Sequence, residues 1–325
     1  MNARTPNPME LLLRDEIAGR GPLRVDRFME IALYHPEFGY YRRQRDPFGK
    51  EGDYYTAEQL QPVFGILIAN AIRSLRSELG NPKAFTVVEL GAGRGEMSEA
   101  FRDFHYIPVD VATNNWPERF TGVVFANEFF DALPVRRFVR VGDEYSESLV
   151  GWEKDRRFFF VNRVKASGQA LEYLDRYAEG REVVEWNERA DRMLVDIARR
   201  LERGFLIAID YGYAKAEAIR FPQGTLMSYR HHQAIEDVLR NPGEQDITAH
   251  IAFDALIEVA ERSGMELVRL ESLAQFLLRT GEPDQFASAL RAPSADEETR
   301  RRLQLKTLLF SMGEMFRVLT LRKRG

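Results

Sequence analysis

The chain has 325 residues, of which 44% are hydrophobic and 30% are charged, and its formal net charge is −4 at pH 7. These values are ordinary for a globular protein built as one large α/β domain or as two domains. The net charge excludes a global attraction to nucleic acid or to an anionic membrane, and the lack of cysteine excludes disulfides, thiolate metal sites and a thiol nucleophile.

The N-terminal residues, M-N-A-R-T-P-N-P-M-E, contain neither the apolar core of a signal peptide nor an Arg/Ser-rich stretch for organelle import. No segment approaches the roughly 18 apolar residues of a membrane span. We therefore expect a cytoplasmic, bacterial protein with no nucleic-acid or membrane partner.

The first part of the chain is predicted to be mainly helical. Apolar residues repeat at helical spacing over Met9–Ala18, over Asp26–Leu33 and again after Pro62, a residue favoured in the first turn of a helix. Between the second and third helices lies Tyr34–Thr56, a long loop dense in Tyr, Phe and Arg. Such an aromatic loop has too much apolar surface for a linker, so we expect it to pack as a lid or pocket wall. The alternative is an extended surface loop with buried tyrosines.

The stretch Ala84–Gly95, A-F-T-V-V-E-L-G-A-G-R-G, combines a strand with a glycine-rich turn. The apolar, β-branched run before Glu89 is typical of a buried parallel strand. Glycine then follows at every second position, as Gly91, Gly93 and Gly95. Dinucleotide binders use G-x-G-x-x-G and bare amides for a diphosphate, whereas E-x-G-x-G-x-G offers a carboxylate to a ligand with an ammonium and a sulfonium. The motif favours an S-adenosylmethionine (SAM) site; a nucleotide site and a plain turn are the alternatives.

A helix over Glu96–Phe104 and a second strand over Tyr106–Val111 are predicted next. Asp110 lies 21 positions after Glu89, about where a ribose-binding acid ends the second strand of a Rossmann-like fold. An ordinary strand-end acid would occupy the same place. Only 12 residues separate Asp110 from Val123, fewer than a helix and a strand need. We therefore expect one strand of the sheet and its helix to be trimmed or absent.

The stretch Val123–Val135, V-V-F-A-N-E-F-F-D-A-L-P-V, begins as a buried strand. Asn127, Glu128 and Asp131 then emerge at its C-terminal end, which in this fold lies beside the cofactor crevice. Polar groups that bracket two phenylalanines suit a pocket better than a solvated loop.

The rest of the chain alternates strands and helices. Phe138–Val164 is predicted to be a β-hairpin or meander inserted after the fourth strand. The further predicted elements are a helix over Glu188–Arg203, a strand over Phe205–Gly212, a helix from Ile251 to Gly264, a strand over Met265–Leu270, a helix over Thr299–Ser311 and a closing strand over Phe316–Arg322. The separations of His231, His232 and His250 match no metal motif, so no metal is expected.

Several segments together resemble one family, the MidA-type SAM-dependent methyltransferases, which include the mitochondrial assembly-factor methyltransferase of respiratory complex I. These segments are Y-H-P-x-x-G-Y-Y, G-D-Y-Y-T, E-L-G-A-G-R-G, A-N-E-F-F-D-A-L-P-V, I-D-Y-G, G-T-L-x-x-Y-R and D-I-T-A-H-I-x-F, from about Tyr34 to Phe253. The resemblance implies an α/β, class I methyltransferase (Rossmann-like) sheet with an N-terminal helical segment and an inserted β-hairpin or meander. We expect residues 1–82 to form part of the active-site cover, and residues 83–325 to form the methyltransferase domain, with its insertion at about 136–187.

The resemblance also assigns site residues. The three glycines would form the SAM loop with Glu89 beneath it. Asn127 and Glu128 would face the methyl group, with Asp131 close by. The positions predicted near the methionine end of SAM are Gly52, Asp53 and Thr56, and those predicted to bind substrate are Tyr54, Tyr55 and Asp246. The chain departs from the family between Asp110 and Val123, where relatives carry a longer segment.

The resemblance implies, for the mitochondrial member, symmetric dimethylation of an arginine on a complex I subunit. We expect a SAM-dependent methyltransferase that acts on an arginine of an unidentified protein. Paired carboxylates can localise the charge of a guanidinium, and Glu128 and Asp131 form the best local pair. His250 or Asp246 could take the released proton. The alternatives are a SAM-binding assembly chaperone with little turnover and a small-molecule methyltransferase; the oligomeric state stays open.

Overall fold

The structure, a computed structural model, describes residues 7–42, 57–110, 115–154, 157–230 and 233–325. The α-helices are α1 (Pro8–Arg20), α2 (Val25–Tyr34), α3 (Val63–Glu78), α4 (Ser98–Phe101), α5 (Gln169–Tyr177), α6 (Glu188–Arg200), α7 (Phe253–Arg262), α8 (Leu273–Gly281), α9 (Ala287–Leu290) and α10 (Ala295–Lys306). Short 3-10 turns cover Tyr40–Arg42, Ala57–Gln59, Lys215–Arg220 and Glu282–Asp284, and Thr307–Met312 is π-helical. In these ranges, no helix combines the length and the apolar character that crossing a membrane requires.

The strands complete the set of regular elements. They are β1 (Leu23–Arg24), β2 (Thr86–Leu90), β3 (His105–Val109), β4 (Phe120–Asn127), β5 (Arg136–Val141), β6 (Glu144–Glu153), β7 (Arg157–Lys165), β8 (Val183–Trp186), β9 (Leu201–Tyr213), β10 (Met227–Arg230), β11 (Gln233–Ile235), β12 (Asp246–Thr248), β13 (Ile251–Ala252), β14 (Met265–Ser272) and β15 (Phe316–Lys323).

The chain divides into two compact units. Over its described residues, the first unit comprises Met1–Tyr55, Asp131–Ala190 and Tyr213–Ala252. The second unit comprises Thr56–Phe130, Asp191–Gly212 and Phe253–Gly325. The predicted boundary between residues 82 and 83 stays a prediction.

The second unit contains the predicted α/β sheet. Six strands lie in the order β14-β15-β9-β4-β2-β3. The strands β3, β2, β4 and β9 run parallel, while β15 is antiparallel to β9 and β14 to β15. β3 ends this order, and the described ranges hold no further strand beside it. This edge agrees with the missing strand and helix that the short Asp110–Val123 spacing predicts.

The helix α3 supplies a large part of the core of the second unit. Its residues Val63, Phe64, Leu67, Ile68 and Ile72 recur at helical spacing and are fully buried. They belong to one apolar cluster with strand residues such as Val87, Phe125, Ile207 and Phe316. Burial of each such side chain contributes about 1.5–3 kcal/mol, so this stripe holds α3 against the sheet.

The first unit contains the predicted inserted meander. The strands β5, β6 and β7 pair in antiparallel succession, and β8 and β1 extend the sheet beyond the predicted span. A smaller sheet has the order β11-β10-β12. The core of this unit joins α1 and α2 to β6 and β7; for example, Phe28 meets Phe158 edge to face at 5.6 Å between ring centroids.

Several predicted helices have different boundaries in the structure. α7 begins at Phe253 instead of Ile251, because Ile251–Ala252 form β13. α10 begins at Ala295 instead of Thr299, because the side chain of Ser294 caps it there by accepting from the amide of Glu297. α4 covers only Ser98–Phe101, because the amides of Gly95 and Ser98 first close tight turns to the carbonyls of Ala92 and Gly95. α6 ends at Arg200 instead of Arg203, because the next residue already belongs to β9 and pairs with β4.

Candidate active site

Glu89 lies near the C-terminal end of β2 and is only 1% exposed. The hydroxyl of Tyr106, on the neighbouring strand β3, donates a hydrogen bond to its Oε2 atom. Its Oε1 atom is buried and has no hydrogen-bond partner in the described part of the chain. Burial raises the pKa of Glu89 to about 8, against the effect of the Tyr106 bond, and the charges of Glu96 and Asp110 raise it further. A cation beside this carboxyl group would favour its ionised form.

The three glycines follow directly after β2. Gly91, Gly93 and Gly95 have φ values of 71°, 50° and 80°, in the left-handed region that glycine adopts without strain. The amide of Gly91 donates to the carbonyl of Val109 at 2.9 Å. A Cβ atom on Gly91 would lie 2.9 Å from Cδ2 of Phe129, so this position has no room for a side chain. The turn therefore presents bare main chain beside Glu89.

Asp110 comes immediately after β3, whose last residue, Val109, pairs with Leu90 of β2. The structure thus places this acid at the same end of the sheet as the glycine turn. Its charge contributes to the raised pKa of Glu89. The predicted role of Asp110 in ribose binding stays a prediction.

Asn127 and Glu128 stand at the end of β4. Asn127 is 6% exposed, and its Nδ2 donates to Oε1 of Glu128 at 3.2 Å. The Oδ1 atom of Asn127 is buried without a hydrogen-bond partner in the described ranges. Glu128 has φ of 49°, its amide donates to Ile209 O at 2.8 Å, and its Oε1 also accepts from the amide of Ala57 at 3.1 Å. Both the backbone and the carboxylate of Glu128 are thus held in place.

Two further candidate site residues, Asp210 and Glu58, are not among those predicted from the sequence. Asp210 is fully buried on β9, and its Oδ2 accepts from the amides of Phe129 and Phe130 at 3.3 and 2.8 Å, which fixes the turn that follows Glu128. Glu58 lies in the turn Ala57–Gln59, and its pKa is well above the usual range because of burial and the charges of three other glutamates. These are Glu89, Glu128 and Glu96.

The first unit holds the other predicted site residues. Asp246 is 2% exposed, and its Oδ1 accepts from the hydroxyl of Tyr41 at 2.7 Å. Asp131 is 5% exposed, and its carbonyl accepts from the amide of Ala249 at 3.0 Å. Burial and the charges of Asp131 and Asp246 raise the pKa of Tyr229, so the structure brings both carboxylates near this phenol.

His250 is the predicted proton acceptor. Its amide donates to Oγ1 of Thr225 at 3.0 Å, and its ring meets Phe221 edge to face at 5.2 Å. Burial lowers the pKa of His250, so the imidazole is neutral at pH 7 and able to accept a proton.

Some predicted residues lie outside the described ranges. Among the cofactor positions these are Gly52, Asp53 and Thr56, and among the substrate positions Tyr54 and Tyr55. His231 and His232 lie outside them too.

Residues 104–270, just over half of the chain, match the family model described as "Putative S-adenosyl-L-methionine-dependent methyltransferase". The chain belongs to this family. The resemblance to MidA-type methyltransferases and the class I fold are thereby confirmed, and SAM is the cofactor of this methyltransferase.

The chain is similar to named protein arginine methyltransferases and to a solved methyltransferase structure. The chain is 26% identical to the mitochondrial protein arginine methyltransferase NDUFAF7 of Danio rerio, over 83% of this chain and 79% of that protein. It is also 26% identical to that of Bos taurus, over 98% and 84%. A crystal structure from Burkholderia thailandensis, described as a "likely methyl transferase" bound to S-adenosylhomocysteine, has a TM-score of 0.87 at 29% identity, over 99% of this chain and 95% of that one.

The residues of the second unit fit SAM. The glycine turn leaves main chain accessible beside Glu89, and two buried acceptor atoms, Glu89 Oε1 and Asn127 Oδ1, lack donors in the described ranges. The carboxyl groups of Glu58 and Glu89 have raised pKa values, and the ammonium and sulfonium of SAM would favour their ionised forms. A nucleotide phosphate would have the opposite effect and favour their neutral forms.

Proposed function

We propose that this methyltransferase acts on the guanidinium of an arginine side chain in a protein. The observation that carries this proposal is the fixed carboxylate of Glu128 at the end of β4, held by the amides of Ala57 and Asn127 in a group rich in acids. Relatives named as protein arginine methyltransferases support the same acceptor.

The acceptor chemistry explains why a carboxylate belongs here. SAM, when bound, supplies a methyl group on a positively charged sulfur, which leaves as a neutral thioether. A guanidinium is a poor nucleophile because its charge is delocalised over three nitrogens. Glu128 can accept hydrogen bonds from two of those nitrogens and draw the charge toward them. The third nitrogen then has more lone-pair density for the attack.

The neighbours of Glu128 act as positioning residues. Asn127 donates to the same carboxylate oxygen as Ala57, which fixes the orientation of the Glu128 side chain. Asp210 holds the two amides that follow, which fixes the backbone at Glu128. A reacting group needs such alignment, because a displacement of about 1 Å can cost 10²-fold in rate.

The released proton needs an acceptor. His250 suits this role because burial lowers its pKa and keeps the imidazole neutral at pH 7. Asp131 and Asp246 keep their predicted roles as a second carboxylate and a substrate-binding residue. Substitution of each of these residues tests its role, with methyl transfer and SAM binding measured separately.

A labelling experiment tests the proposed function. The purified protein is incubated with methyl-labelled SAM and a protein extract from cells that lack it, and labelled proteins are hydrolysed to amino acids. We expect label in ω-N-methylated arginine with the wild-type protein and none with Glu128→Gln, although both proteins bind S-adenosylhomocysteine.

The other outcomes overturn the proposal in different ways. Label in a small molecule would identify a small-molecule methyltransferase. Label on lysine or another side chain would refute the arginine assignment. Normal cofactor binding without any methyl transfer would favour an assembly chaperone.

A further inference from the structure

We propose that Phe129 is a positioning residue, whose ring, packed on the glycine turn, sets where the carboxylate of Glu128 stands relative to that turn. The inference rests on the proposed function, because it concerns how Glu128 is placed for the acceptor. Phe129 exerts this role through the backbone that it shares with Glu128, not through contact with the reacting atoms. The contacts that carry the inference all lie in the second unit.

The contact between Phe129 and the glycine turn is close. A Cβ atom added to Gly91 would lie 2.9 Å from Cδ2 of Phe129, 3.6 Å from its Cβ and 3.7 Å from its Cγ. Several atoms of this side chain therefore lie against the Cα of Gly91. The turn is tied to β3 in its own right, because the amides of Gly91 and Ala92 both donate to Val109 O, at 2.9 and 3.3 Å. Phe129 thus rests on a fixed support.

The backbone around Phe129 is bonded to β9 at three successive residues. The amide of Glu128 donates to Ile209 O at 2.8 Å, and the amides of Phe129 and Phe130 donate to Oδ2 of Asp210 at 3.3 and 2.8 Å. The ring of Phe130 is fully buried and meets that of Phe129 edge to face at 5.2 Å between centroids. A shift of the Phe129 ring therefore acts on the backbone of Glu128 instead of being absorbed by a loose loop.

The conformation of Glu128 makes this support necessary. Its φ of 49° lies in the left-handed region, which a glutamate keeps only where its surroundings hold it there. The Glu128 carboxylate accepts from the amide of Ala57 at 3.1 Å, while the next side chain, Phe129, packs on Gly91. The ring thus holds the turn after β4 apart from the glycine turn. Without the ring, we expect this backbone to relax and to carry the carboxylate away from its position.

Hydrogen exchange at one amide tests the proposal without any acceptor. The amide of Ala57 donates to Glu128, so its exchange rate reports whether the carboxylate keeps its place. The amide of Ala208, on a fully buried residue of β9 that pairs with strands on both sides, reports global unfolding. By NMR of alanine-labelled protein, we expect Phe129→Ala to raise exchange at Ala57 at least tenfold relative to Ala208. Phe129→Leu, which keeps most of the volume, should raise it less than threefold.

Phe104→Ala is the matched control for the loss of a ring. Phe104 is also half-buried in the second unit, and its ring packs against those of Phe85 and Phe101 at 6.1 and 6.3 Å between centroids. It precedes β3, at the opposite end of the sheet from the glycine turn. Its loss should change the ratio of the two exchange rates less than twofold. An unchanged ratio in Phe129→Ala, or an equal rise in Phe104→Ala, would overturn the proposal.

A double variant tests the contact itself. Gly91→Ala introduces the Cβ atom for which Phe129 leaves no room, and Phe129→Ala removes that obstacle. We expect Gly91→Ala to weaken binding of S-adenosylhomocysteine at least tenfold in the wild-type background, but less than threefold in the Phe129→Ala background. Equal losses in the two backgrounds would show that the ring does not press on the turn, and the proposal would fail.

Kinetics on the labelled acceptor complete the test. Phe129→Ala should lower kcat at least tenfold and leave the Kd for S-adenosylhomocysteine within threefold, because the cofactor still binds but the acceptor is misaligned. Phe129→Leu should recover most of kcat. A fall in kcat no larger than that of Phe104→Ala would overturn the proposal. If the labelling experiment finds no methylated arginine, the proposed function fails, while the exchange and double-variant results still decide whether Phe129 positions Glu128.

Discussion

A glutamate in the left-handed region of backbone conformation is costly, by about 1–2 kcal/mol, and Glu128 adopts that region with φ of 49°. The conformation persists because Ile209 O holds its amide and the amide of Ala57 holds its carboxylate. A residue kept in a strained conformation directly after a central strand is consistent with the role proposed for the Glu128 side chain.

We expect Glu128→Gln to lower kcat by about 10²–10³-fold, because the amide keeps an oxygen for Ala57 but loses the charge that localises the guanidinium cation. The Kd for S-adenosylhomocysteine should stay within about threefold. Steady-state kinetics on a methylatable protein and calorimetric titration measure the two effects. Glu99→Gln, at an exposed position on α4, is the control. An unchanged kcat in the Glu128→Gln variant would show that Glu128 takes no part in catalysis.

His250 leads to a prediction about pH. In its predicted role the neutral imidazole accepts the proton, and burial lowers its pKa, so kcat should fall on acidification only below the usual range of histidine. His250→Gln should lower kcat and abolish this fall of kcat at acidic pH. A pH–rate profile between pH 5 and 9 checks both points. If kcat of the variant still falls at acidic pH, a group other than His250 titrates in that range.

The sequence predicts Glu89, Asn127 and Glu128 as site residues because they lie at the ends of apolar runs typical of buried strands. Asp210 also ends such a run, Phe205–Ile209, but the sequence does not show which groups it contacts. Asp210 acts on the amides of Phe129 and Phe130, some eighty positions away, and only strand pairing brings these together. No periodic pattern in the sequence leads up to Glu58, so no spacing rule selects it.

At the scale of elements, the glycine turn carries two separate constraints. Gly91 needs a left-handed φ, and it also needs space against Phe129. Gly142, in the turn between β5 and β6, has a similar φ of 63°, but a Cβ atom added there would meet no atom of the described residues within 4 Å. The two positions therefore separate backbone strain from steric crowding.

We expect Gly142→Ala to cost about 1 kcal/mol of unfolding free energy from strain alone. Gly91→Ala should cost about 1–3 kcal/mol more, because its Cβ would displace the Phe129 ring. It should also weaken binding of S-adenosylhomocysteine at least tenfold, whereas Gly142→Ala should not. Urea unfolding and calorimetry measure these quantities. Equal effects of both substitutions would show that the contact with Phe129 is unimportant.

Element prediction succeeded where one local signal dominates. The stripe on α3 and the meander β5–β7 agree with periodicity and turn residues in the sequence. The predicted helix after Gly95 was too long, because the amides of Gly95 and Ser98 are already committed to tight turns. The pairing of β1 and β8 with the meander was not predicted, since contacts between distant segments leave no local pattern.

At the scale of the whole molecule, the acids of the second unit oppose folding when no ligand neutralises them. Glu89 has a pKa of about 8 in the folded protein, against an ordinary value of 4.5. Below pH 4.5 Glu89 is protonated in both the folded and the unfolded protein, so its ionisation does not change the free energy of unfolding. As the pH rises toward 8, the unfolded chain loses this proton while the folded protein retains it, so stability falls. Above pH 8 the cost is constant.

We therefore expect the free energy of unfolding of the wild type to fall between pH 5 and 8 relative to that of Glu89→Gln. At pH 7 to 8 the variant should be more stable, by on the order of 1–3 kcal/mol, because glutamine keeps an acceptor for Tyr106 without a charge. Urea unfolding at pH 5, 6, 7 and 8 measures the difference, with Glu99→Gln again as the control. Saturating S-adenosylhomocysteine should reduce the pH dependence of the wild type, since its ammonium stabilises the ionised carboxylate. Parallel pH profiles for wild type and variant would mean that Glu89 ionises in the folded protein as an ordinary glutamate, and the charge argument for the cofactor site would then fail.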